Sequence, residues 1–136
     1  MTLHEFVALP HRFRWGGLNG DDCLTFCATW IAEASGVDPA EKFRGTYCTE
    51  EQAAALIEAA GGMVAFADKH LRAAGIRRTK VPKHGDVGVI LAPAGLDGAT
   101  KQIGAIRFGN SLWLALGPAG IVGKKAEFVA AWSVAQ

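Results

Sequence analysis

No apolar run in this chain is long enough to cross a bilayer, because Gly, Pro or a charged residue interrupts each one. An excess of one charge is also missing: 14 Lys and Arg stand against 13 Asp and Glu, a formal net charge of +1. That balance gives no electrostatic case for a nucleic-acid or anionic-membrane surface, so neither nucleic-acid binding nor membrane insertion is expected. The opening MTLHEFVALPHRFRW has no uninterrupted apolar core and no small-residue cleavage site, so no signal peptide is read. The expectation is a protein made and kept in the cytoplasm, or built into something assembled there. Cysteine is scarce and odd in number, at Cys23, Cys27 and Cys48, which argues against a disulfide framework. A structural zinc site needs about four ligands, and neither a CxxC nor an HxxxH spacing occurs. No metal and no cofactor is expected. No repeat, low-complexity tract or linker divides the 136 residues, which read as one domain.

Half of the residues are apolar, enough for a core without covalent staples. Thr2 and Glu5 form a capping-box pattern, predicting a short helix from Leu3 to about Leu9 that Pro10 stops. A loop with Gly16, Gly17 and Gly20 follows, in which Asn19, Asp21 and Asp22 are all candidate N-caps for the next helix. Phe26, Trp30 and Ile31 keep helical spacing with Cys23 and Cys27, and Gly36 is a natural stop. Thr49 and Gln52 open a helix that Gly61 and Gly62 close, and a further helix is read from Val64 to Ala74. After Gly75 the texture changes to short apolar runs, DVGVILA, IGAIRFG, SLWLALG, GIV and FVAAWSV, separated by turn residues. Gly109-Asn110 marks a tight hairpin. Helices over about 1–75 and antiparallel strands over about 76–136 make the class α+β.

The stretch 16-GGLNGDDCLTFCATW-30 places Cys23 at a helix start. Cysteine reacts as the thiolate, and unpaired N–H groups at a helix N-terminus lower a thiol pKa, while carboxylates such as Asp21 and Asp22 oppose this. A nucleophile also needs a base within hydrogen-bond reach and a group to orient that base.

These residues resemble the NlpC-type branch of papain-like cysteine peptidases, many of which hydrolyse peptidoglycan stem peptides and some of which travel on phage tails. Asp22, Cys23 and Phe26 match that family's nucleophile box, with Leu24 and Thr25 departing from it, and Gly85-Asp86 match its second marker. The third marker carries the catalytic histidine. Here it reads 101-KQIGAIRFG-109, and Gln102 holds the histidine position. An amide does not titrate near neutral pH and is no general base. The orienting residue's expected place, near Ala115, is apolar. The chain is also similar to a small family of phage and prophage tail-region proteins, through Phe13, Trp15, Gly16, Asp22, Cys23, Asp38, Pro39, Arg44, Gly45, Tyr47, Gly85 and Asp86. That resemblance implies a papain-like (NlpC-type) domain, N-terminal helices packed on a C-terminal antiparallel sheet, encoded among tail genes.

Cys23 is therefore either a reactive nucleophile or a relic at a helix start, and Gln102 favours the relic. His84, beside Gly85-Asp86, is the candidate substitute base, with a solvated turn residue as its plainer reading. His70 reads as solvated, and His4 and His11 lie in the N-terminal arm. Cys27 reads as core. Arg12, Arg14, Lys42 and Arg44 read first as solvated loop charges and second as a patch for an acidic partner. Arg77 to Lys80 is a charge run at a strand edge. The tryptophans are core or interface anchors, Trp15 being the exposed candidate. Gln102 and the apolar strand after it point to a structural or assembly role, which the resemblance to tail-region proteins would place in the virion tail, at the tip, baseplate or hub, with other tail proteins as partners. The alternative is a peptidoglycan amidase or endopeptidase acting through Cys23.

Overall fold

The computed structural model describes residues 1–93 and 100–134. Among these, four helices come first: α1 (Leu3–Ala8), α2 (Cys23–Ser35), α3 (Glu50–Ala59) and α4 (Met63–Ala73). Six strands follow: β1 (Arg77–Thr79), β2 (Val87–Pro93), β3 (Thr100–Phe108), β4 (Leu112–Gly117), β5 (Gly120–Lys124) and β6 (Phe128–Ser133). They form one antiparallel sheet of order β1-β6-β2-β3-β4-β5, and the class is α+β. No helix among the described residues is long and apolar enough to cross a membrane.

The helix ends follow local chemistry. Thr2 and Glu5 make the reciprocal capping box, Asp22 caps α2, and Gly36 ends it at φ 81°. Thr49 caps α3 through the Gln52 N–H, but the Gln52 side chain reaches one residue further back, to the Cys48 N–H. Thr100 to Gln102, read above as loop, lengthen β3 because they pair with Pro93, Ala92 and Leu91. The remainder of that loop, 94–99, lies outside the described residues.

The sheet is strongly curled. In a flat sheet β5 and β6 would lie four strand spacings apart, about 19 Å. Lys124 and Phe128 are joined by only three residues, 125–127, a reach of at most about 14 Å. The Trp113 and Phe128 rings meet at 5.9 Å across the concave side. Trp113 lies over small residues there. A Cβ on Gly88 would sit 2.7 Å from its ring, and Ala105 and Ala131 are buried beside it. On the other face Phe6, Phe26 and Trp30 pack against Val89, Ile106 and Trp132. A smaller cluster, with Phe43, Tyr47 and Phe66 at its centre, fastens the 37–48 loop to α3 and α4.

One irregularity positions the site. β3 and β4 pair only at Ile106–Leu114, Arg107–Trp113 and Phe108–Leu112. Towards its start β3 keeps only β2 as partner, and past Leu114 β4 keeps only β5. The strands fork, and the first turn of α2 enters the fork. A Cβ on Gly104 would lie 3.1 Å from the Cys23 carbonyl oxygen and 3.4 Å from the Cys27 sulfur. Only a residue without a side chain lets helix and strand approach this closely.

Candidate functional site

Asp22 fixes the helix start. It is 1% exposed, and its carboxylate accepts four hydrogen bonds. Oδ1 takes the N–H groups of Leu24 and Thr25, while Oδ2 takes the Gly16 N–H at 3.1 Å and the Tyr47 hydroxyl at 2.5 Å. Burial, followed by the bond to Asp22, raises the Tyr47 pKa above its ordinary value, so the phenol stays a donor. Of the candidate caps Asn19, Asp21 and Asp22, the structure selects Asp22, because Asp21 is used elsewhere.

Arg44 is that use, and it is not a solvated loop charge. Its guanidinium bonds Asp38 Oδ2 at 2.7 Å, Asp21 Oδ1 at 3.1 Å, the Gly17 carbonyl and the Thr29 hydroxyl. Burial acts against the charge, but the bonds that Arg44 donates to Asp38 and Asp21 outweigh it and hold the pKa above the ordinary arginine value. The cluster ties the glycine loop, the middle of α2 and the 37–48 loop into one piece.

Cys23 stands at the mouth of the fork, partly exposed. Burial, then the neighbouring Asp22 carboxylate, pushes its thiol up to about 11, while the Gly104 N–H and Lys101 act in the opposite direction. At neutral pH the group is a thiol and not a thiolate. Its sulfur opens onto a groove of about 300 Å³. Phe13 and Trp15 form one wall, edge to face at 5.2 Å, with Glu50 beside them. Lys101 and Ile103 of β3, and Ala115 and Val122 of β4 and β5, form the other. No described residue lining the groove is a histidine.

The two polar positions expected at the site lie apart. Gln102 is exposed on β3, opposite Leu91 and two residues before Gly104, at the Cys23 end of the strand. His84 is at the other end. Its Nδ1 accepts the Gly109 N–H at 2.8 Å, and its ring packs on Phe108 and His4. From Gly104 to Phe108 an extended strand runs about 13 Å, so His84 is no base for Cys23 and holds the hairpin turn instead. His11 packs on Phe6 and Phe26 and bonds the Phe6 carbonyl. His70 is not on a solvated face. It lies half-buried against Phe43 and Phe66, where burial and then Lys69 and Lys42 lower its pKa. Cys27 is buried, and its S–H reaches back to the Cys23 carbonyl. Trp30, Trp113 and Trp132 are core, and Trp15 is half-buried at the groove.

Tyr47 and Lys101 were not singled out for the site by residue chemistry. Tyr47 stands 25 residues from the carboxylate it meets, and no spacing rule links them. Asp86 proves to be structural as well. It is 1% exposed and accepts the N–H groups of Lys83 and Val134, tying the turn before β2 to the end of β6. Next to it the Gly85 carbonyl accepts the Trp30 indole N–H at 2.7 Å.

No curated protein and no solved structure matches the chain. One family model does, over residues 2–134, which is nearly the whole length. The chain belongs to the family described as the domain of unknown function DUF6950.

Proposed function

We propose that this chain is a structural or assembly protein of a phage tail, at the tip, baseplate or hub, built on a papain-like, NlpC-type scaffold that lacks its catalytic base. One observation supports this above the others: a sulfur at the helix position of a nucleophile, with its thiol held up at about 11 and no histidine among the described residues lining the groove it faces. A cysteine nucleophile needs a lowered pKa and a proton acceptor in reach, and this one has the reverse. The surrounding polar groups are bonded within the chain, Asp22 to Tyr47 and backbone and Arg44 to Asp38, Asp21, Thr29 and the Gly17 carbonyl, which suits a rigid scaffold. In this reading the protein resides in the virion tail after assembly in the bacterial cytoplasm, and its partners are other tail proteins.

The second reading, a peptidoglycan amidase or endopeptidase, draws on the opening of Cys23 to solvent at a helix N-terminus. Dye release from purified cell walls, comparing wild type with Cys23→Ala, separates the two. The expected result is no release above buffer from either protein, and release by wild type alone would establish the enzyme. Mass spectrometry of purified particles tests the location, and a chain absent from the tails would remove the assembly role.

A further inference from the structure

The fork between β3 and β4 leaves main-chain groups without a strand partner on the groove side. Arg107 exchanges both its bonds with the β2 side, donating to the Asp86 carbonyl and accepting from the Gly85 N–H at 2.8 Å. In an antiparallel ladder the direction alternates residue by residue, so Ile106, Gly104 and Gln102 direct their N–H and C=O groups towards β4. Ile106 finds Leu114 there. The Gly104 N–H meets the Cys23 sulfur. Gln102 faces the open fork, past the end of the β3–β4 pairing. By the same alternation Leu116, which lies opposite Ile121 of β5, directs its groups back towards β3.

Above these groups the surface is apolar and basic. Ile103 and the 49%-exposed Val122 line the groove on the concave face of the sheet, and Phe13 and Trp15 line it from the helical face. Lys101 and Lys124 line the strand side of the groove, against the single acid Glu50 on the helical side. Neither lysine is in an ion pair among the described residues.

We infer that the fork is a docking groove for an extended acidic segment of a partner protein, whose backbone pairs with β3 at Gln102 while its carboxylates meet Lys101 and Lys124 on one face of the sheet and its alternate, apolar side chains meet Phe13 and Trp15 on the other. Strand addition at an exposed edge gives affinity through main-chain bonds and selectivity through alternate side chains. The two lysines set the charge of the segment, and the pair Phe13–Trp15 covers its apolar side. This inference names the partner chemistry of the assembly reading above and rests on it.

The test uses the full chain and three fluorescent probes in polarisation titrations at low salt: a short alternating Glu/Val peptide, its Lys/Val counterpart and a muramyl tripeptide from cell wall. The Glu/Val peptide is expected to bind and the Lys/Val peptide to bind at least about fivefold more weakly. Reversing both lysines, Lys101→Glu with Lys124→Glu, should invert that preference. Gln102→Pro removes the one N–H offered to the guest without touching the β2 ladder, and should weaken the Glu/Val peptide while leaving the charge preference in place. Circular dichroism checks that each variant folds; should the proline variant misfold, the lysine pair carries the test alone. Equal binding of both charged peptides, indifference to lysine reversal, or binding of the muramyl tripeptide alone would overturn the proposal. A chain missing from purified particles that still binds the Glu/Val peptide through the lysines would remove the assembly reading and leave the groove; a chain present in particles that binds neither peptide would do the opposite.

Discussion

Behind the loop side of the Cys23 groove Asp22 and Arg44 are each held by several bonds, while on its strand side Lys101 and Gln102 stand in solvent. Asp22 accepts four bonds and Arg44 is held by two carboxylates, a carbonyl and a hydroxyl. Across from them Lys101 and Gln102 are exposed. A catalytic cysteine needs the second wall to be as ordered as the first, because that wall must hold the base within about 3 Å of sulfur. Here order resides on the wall that builds the helix start, and the wall that would do proton chemistry is open.

The contrast is broken most strongly at Asp22. Asp22→Ala leaves four donors without an acceptor, three of the bonds being buried, and removing one partner of a buried charged network typically costs about 3–5 kcal/mol. Urea unfolding should show that loss, with α2 fraying at its first turn. Next is Gly104→Ala. The new methyl lies 3.1 Å from the Cys23 carbonyl, and because Asp22 pins that turn, the helix has little room to retreat. A destabilisation of about 1–2 kcal/mol is expected from the overpacking, whereas Asp22→Ala in the same chain should shrink that cost by freeing the turn. A double-mutant cycle measures the coupling. Arg44→Lys follows at about 1–2 kcal/mol, since a single ammonium does not reproduce a fork that meets Asp38, Asp21, Gly17 and Thr29 together.

The smallest effect sharpens the comparison at Cys23 itself. The folded thiol is held up at about 11, whereas in the unfolded chain it ionises near 8.5 or so. The native state therefore binds this proton more tightly. The stability this gives is complete below roughly pH 8.5 and is lost as the pH rises towards about 11. Cys23→Ala should flatten part of the alkaline decline in the urea midpoint, with Cys27 and Tyr47, also raised, accounting for the remainder. An unchanged alkaline slope would mean that the sulfur is ordinary.

Much of the helical half was legible because its signals are local. The Thr2–Glu5 box, the cap before Cys23 and the stop at Gly36 each act within about four residues. Gly109-Asn110 marked its hairpin for the same reason. What stayed hidden depends on long-range contact. Arg44 looks like any loop arginine until Asp21, 23 residues away, is beside it. His84 keeps its place beside Gly85-Asp86 in the chain, yet the strand carries that marker to the far end of β3 from the sulfur. The fork of β3 from β4 has no signature in either strand, since each still alternates and each keeps a partner on its other edge.

The sheet order also governs when the fold can exist at all. β6 lies between β1 and β2 and, among the described residues, is the only strand that pairs with β1. On a ribosome, β1 emerges about fifty residues ahead of the strand it must join, a long loop to close. Until β6 arrives the helical face lacks Trp132, and the concave side lacks the Phe128 ring that meets Trp113. A nascent chain halted before β6 therefore holds helices and a β2–β5 meander with an open seam at its centre, a state that a chaperone or protease would meet before any partner does.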